Sequence, residues 1–169
     1  MSDVAVDPAP RLARIFLTEE AIYGLILVSG MLVITGAADA TSVVALVTVA
    51  VTVIVFFAAH VYAGALARLA ADKRRWSVRT SLRSAAFEAS GMLLASVAPL
   101  AILTVGATRV LDDGTAIWTA LIVNTILLGV LGWIAVARWS PRWYVRVGGA
   151  LVTAAFGGAL ILLKSLVSH

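Results

Sequence analysis

Three carboxylates and one imidazole stand inside apolar sequence: Glu19 and Glu20 as a pair, then His60, then Glu88. Carboxylate oxygens and an imidazole nitrogen can pass a proton between them or, brought together, hold a divalent cation such as Mn²⁺, Fe²⁺ or Zn²⁺. Each lies a short way from an arginine. At about 1.5 Å of rise per helical residue, Glu20 stands about 9 Å past Arg14, His60 about 12 Å before Arg68 and Glu88 about 7.5 Å past Arg83. If those arginines mark one membrane surface, all three groups fall at similar depth, in the third of the membrane next to it.

Such groups are costly in lipid and by default face a cavity or one another, so the functional reading is a proton or cation site. Each also has a plainer reading. Glu19, Glu20 and Glu88 fall within one or two turns of an expected helix start, where a carboxylate meets the favourable end of the helix dipole. His60 could close an ordinary interhelical hydrogen bond. Helical spacing places Glu19, Tyr23, Ile26 and Gly30 on one face, Phe57, His60 and Gly64 on a second, and Glu88, Met92, Ala95 and Pro99 on a third. These faces either line a lumen or pack, which makes Tyr23 and Met92 pore or packing candidates. Asn124, in the middle of another apolar run, joins them, since a buried amide more often ties helices together than binds a ligand. Lys164 is near enough to the end of the last run to snorkel to the surface. There is no Gly-rich phosphate loop, no His-Glu-x-x-His and no serine elbow, and an enzyme is not expected.

The elements that must position these residues follow from composition. Of 169 residues, 62% are hydrophobic and 13% charged, against roughly a quarter charged in a soluble domain. The mean hydropathy of +1.02 cannot be hidden in one small core. Apolar runs of about 20 residues match the hydrocarbon thickness of a bilayer, and in lipid a continuous run must satisfy its backbone internally, which selects helix even where Val, Ile and Thr dominate. The fold class is therefore an all-α integral membrane protein with five transmembrane helices. The expected spans are 17–36, 42–67, 84–106, 115–137 and 144–167, preceded by a polar N-terminal arm over 1–16. A kink is expected at Pro99. The first run reads as a retained helix and not a cleaved leader, because Glu19 and Glu20 interrupt the passage from Arg11 and Arg14 to the apolar stretch.

Between the second and third spans lies a basic connector, 68–83, with Arg68, Lys73, Arg74, Arg75, Arg79 and Arg83. Placing it in the cytoplasm puts eleven of the thirteen basic residues on the inner side and leaves Arg109 and Lys164 outside, so the N-terminus is expected inside and the C-terminus outside. Trp76, Trp139, Trp143 and Tyr144 then collect at the inner interface and Trp118 at the outer. The net charge of +4 and pI near 10.1 point to anionic lipid headgroups as partners of Lys73, Arg74, Arg75 and Arg79, not to nucleic acid. Cysteine is absent, which excludes disulfides and thiolate ligands. The expected location is a bacterial inner (plasma) membrane.

Several short stretches resemble the vacuolar iron transporter family. Leu82-Arg83-Ser84-Ala85-Ala86-Phe87, Pro99-Leu100, Gly148-Gly149-Ala150 and Ala154-Ala155-Phe156-Gly157 are similar to segments of that family's last three helices, and Ile22-Tyr23-Gly24-Leu25 with Ser29-Gly30 to its first. The resemblance implies five helices and exchange of a divalent metal, Fe or Mn, for protons, by a dimer with its site between subunits. Tyr23 stands where the family has an aspartate, Ala59-His60-Val61-Tyr62 where it has Met and Glu, and the short basic connector where it has long glutamate-rich helices. No metal ligand carries over by position. The expected function is thus a small transporter-like homo-oligomer, with a dimer favoured, moving a divalent metal cation or protons through Glu19, Glu20, His60 and Glu88. The alternative is a non-transporting scaffold or partner subunit whose connector binds lipid or a cytoplasmic protein.

Overall fold

The structure is a computed structural model that describes residues 19–71 and 77–167, and every regular element among them is an α-helix. These are α1 (Glu19–Ala37), α2 (Ser42–Ala71), α3 (Val78–Ala107), α4 (Asp113–Ala137) and α5 (Trp143–Val167). All five are long and apolar enough to cross a membrane. The arm over 1–16 with Arg11 and Arg14, and Lys73, Arg74, Arg75 and Trp76 of the connector, lie outside the described residues.

Two helices run further than hydropathy indicates. α2 continues to Ala71 beyond the expected Ala67, and α3 begins at Val78 instead of Ser84. Hydropathy reports where lipid ends, whereas backbone hydrogen bonding continues, and arginine is a good helix former. What starts α3 is a cap: the Ser77 hydroxyl accepts a hydrogen bond from the Thr80 amide at 3.2 Å. Most of the connector is therefore helix. At 30 residues each, α2 and α3 are about 45 Å long against roughly 30 Å of hydrocarbon. The 19 residues of α1 reach only about 28 Å.

Short α1 is the hub, and it touches all four other helices. Ala21, Leu25, Val28 and Leu32 along it are fully buried. Around it, α2 pairs with α3 and α4 with α5. Lipid tails are as apolar as leucine, so close packing between helices has to come from small residues. A Cβ on Gly132 of α4 would meet the Gly149 carbonyl oxygen of α5 at 2.6 Å and the side chain of Thr153, and one on Gly157 would meet Thr125 Oγ1 at 2.5 Å. Gly24 of α1 sits equally close to Met92 of α3, whose Cγ a Cβ would meet at 2.7 Å. Pro99 is buried within α3, which continues past it as helix. Hydroxyls turn inward on their own helices: Thr35, Ser96, Thr104 and Thr125 each donate to a carbonyl three or four residues back. Outward lie apolar side chains such as Val47, Val51 and Ile54 of α2 and Leu151, Phe156 and Leu162 of α5.

At the end opposite the connector, α4 supplies two caps. Asp112 Oδ2 accepts from the Thr115 amide at 2.8 Å, which caps α4 itself and holds the Asp112 carboxyl below the usual carboxylate range. Asp113 Oδ1 accepts from the Ser42 amide at 2.7 Å and so caps α2 from a different helix.

The α4–α5 contact predicts opposite results for two glycines. Gly132→Ala should lower stability in micelles by about 1–3 kcal/mol, because a backbone oxygen cannot step aside, and this exceeds the roughly 0.5–1 kcal/mol that alanine gains in a helix. Gly148→Ala, with nothing within 4 Å of its added carbon, should not lose stability. Equal losses at both positions, read from unfolding midpoints, would remove the close-packing account.

Candidate functional site

Near the connector end, three helices bring ionisable groups to one place. The buried stripe of α2 that runs through Ala45, Val49 and Val53 continues at the same spacing past Phe57 to His60, Gly64 and Arg68. The first turn of α1 carries Glu19 and Glu20, and α3 carries Glu88. All of Glu19, Glu20, His60, Arg68 and Glu88 line one cavity of ≈ 420 Å³. Its other walls are Ala63, Gly64, Ala67, Ala71 and Ala85, residues small enough to leave that volume open.

Within the cavity the groups form two pairs. Glu20 Oε1 lies 4.0 Å from His60 Nε2, beyond hydrogen-bond reach but within ion-pair range once the imidazole is protonated. Arg68 pairs with Glu88 through Nη2 and Oε2, and its Nη1 donates to the Gly64 carbonyl at 3.0 Å. Glu20 is the sheltered carboxylate, with its side chain 11% exposed, while that of Glu88 is 53% exposed.

The longer α3 changes the plainer reading of Glu88. It stands ten residues into the helix, and a helix dipole acts only within the first turn. Arg68, read from sequence only as a topological charge, is its partner. The signal was present in the four-residue spacing of His60, Gly64 and Arg68, which puts the arginine on the imidazole's face. Among the described residues no three His, Asp or Glu side chains converge to hold a metal ion.

The stripes fare differently from one another. Tyr23 is 53% exposed and points away from the bundle, because α1 buries Glu20, Gly24 and Val28 and not the face of Glu19, Tyr23 and Ile26. Met92 is fully buried and packs on Gly24, and Ala95 and Pro99 are buried with it, so beyond Glu88 this face of α3 is turned into the bundle. Asn124 is buried mid-span and ties α4 to α1: its Nδ2 donates to the Leu25 carbonyl and to Ser29 Oγ, both at 2.6 Å, while Oδ1 has no partner among the described residues. Arg79 is exposed on the projecting part of α3. Lys164 does not extend to the surface. It is 3% exposed, crosses Gly36, and sets its ammonium 4.1 Å from the centre of the Trp118 ring.

Asn124→Ala should destabilise the bundle by about 1–2 kcal/mol through loss of two interhelical bonds and a small cavity. Ser29→Ala combined with it should cost less than the sum of the single changes. Additive losses in a double-mutant cycle would show that the two side chains do not act as a unit. Comparison of the chain with protein-family models, curated proteins and solved structures finds no match to any of them.

Proposed function

We propose that this chain is a small transporter-like membrane protein that moves protons in exchange for a cation, and that the Glu20–His60 pair is its protonation site. The observation behind this is the convergence of Glu19, Glu20, His60 and Glu88 from three helices on one open cavity. Lone ionisable residues that merely tolerated lipid would have no reason to share a depth and a face. A neutral imidazole 4.0 Å from a sheltered carboxylate can take up one proton and answer it with an ion pair. The exposed Glu88, held by Arg68, stands at the rim as a second carboxylate that a cation can compete for.

The positive-inside rule orients this cavity toward the cytoplasm, with the N-terminus inside and the C-terminus outside. A layer of Val28, Leu32, Val49, Leu103 and Leu121 fills the bundle beyond it. Transport therefore requires that layer to part, or a route between copies in a homo-oligomer. A divalent metal such as Fe²⁺ or Mn²⁺ has less support, since among the described residues no three His, Asp or Glu side chains converge on one point. The dry layer is also what favours the second reading, a non-transporting scaffold or partner subunit.

Reconstituted into liposomes under a pH gradient, with a counter-cation supplied on the opposite side, the protein should carry protons, and His60→Ala and Glu88→Gln should each slow the flux about ten-fold or more, the usual scale for loss of a positioned proton carrier. Parallel arms with Fe²⁺ and Mn²⁺ test the metal. Absence of flux, or flux indifferent to both substitutions, would leave the scaffold reading.

A further inference from the structure

The geometry points to a compact organic cation with N–H donors, an alkylguanidinium or a primary ammonium, as the ligand of the ≈ 420 Å³ cavity. This deepens the transport reading by naming the class of cation exchanged. Among the described residues three carboxylates and one guanidinium line the cavity, so with His60 neutral those residues bring two negative charges in excess. Charge alone would not select a ligand. Glu20 does, because the residue is 9% exposed, faces the cavity and accepts no hydrogen bond from any described residue. A ligand that supplies N–H groups to a carboxylate so placed offsets its desolvation.

Size and wall chemistry favour an organic ion over a metal. Cavities of roughly 300–1,000 Å³ are typical of small-molecule sites. A bare divalent ion needs about four to six donor atoms, whereas the walls between the charged groups are alanine and glycine, which offer apolar contact and no side-chain oxygen. Arg68 supplies a template within the molecule. Its guanidinium already lies at this cavity, paired with Glu88 and bonded to the Gly64 carbonyl, so groups of that shape are accommodated there. A ligand guanidinium or ammonium would take the Glu20 carboxylate, with Glu88 and Arg68 setting how much negative charge remains.

Calorimetric titration of the purified full chain in micelles with methylguanidinium tests this without requiring transport. Glu20→Gln should weaken binding about ten-fold or more, the scale of a lost charged hydrogen bond. Arg68→Gln, which frees Glu88, should tighten it about three-fold or more. Tetramethylammonium, equal in charge but without N–H donors, should bind about ten-fold more weakly than methylguanidinium. Unfolding midpoints of the variants check that each is folded. No binding of methylguanidinium to the folded protein, or binding unchanged by Glu20→Gln, overturns the assignment, as does weaker binding in folded Arg68→Gln. Mn²⁺ binding with the same Glu20 dependence but no methylguanidinium binding overturns it in favour of a metal. Glu20-dependent binding without uptake of methylguanidinium into vesicles supports the ligand class and removes the transport reading. Proton flux without such binding does the reverse.

Discussion

Lipid offers no hydrogen-bond donors and no acceptors, and this governs the molecule. Every polar group beyond the backbone ladder must find its partner within the protein or sit where water reaches it. The hydroxyls of Thr35, Ser96, Thr104 and Thr125 turn back on their own helices. Asn124 crosses to α1, and Lys164 lies over the face of Trp118 instead of standing in an apolar layer. Against that background Glu20 stands out as a sheltered carboxylate whose nearest charged partner among the described residues is an imidazole 4.0 Å away.

Helix length converts the constraint into a site. α1 is too short to do more than cross, and its described start falls level with the interior of α2 and α3, both of which project beyond it. The first turn of α1 therefore meets His60 eleven residues before the end of α2 and Glu88 ten residues after the start of α3. The shelf so formed is walled by alanine and glycine, which is why the space between the helices stays open. Deeper in, bulkier residues close the bundle: Val28, Leu32, Leu103 and Leu121 fill the same interhelical space.

The number and class of the elements were legible because bilayer thickness imposes a length on apolar runs. Helix ends were less so, since the arginines that end a hydrophobic run at Arg68 and Arg83 do not end a helix. Depth could be counted from arginines, and this placed Glu20, His60 and Glu88 together. Rotation could not be counted, because α1 is apolar on every side and its sequence does not say which face turns inward. Tyr23 was assigned to an inner face for that reason, and Gly24 carries the close contact instead. The pairing of Arg68 with Glu88 was not legible, because one charge at a membrane boundary can serve both as an orientation signal and as an ion-pair partner.

The bond from the Ser42 amide to Asp113 joins the start of the second helix to the start of the fourth across 71 positions of sequence. During synthesis the chain emerges in order, so the amide of Ser42 enters the membrane region long before its acceptor exists. The first turn of the second helix therefore gains this cap only when the fourth span is in place, so a later part of the chain completes the end of an earlier one.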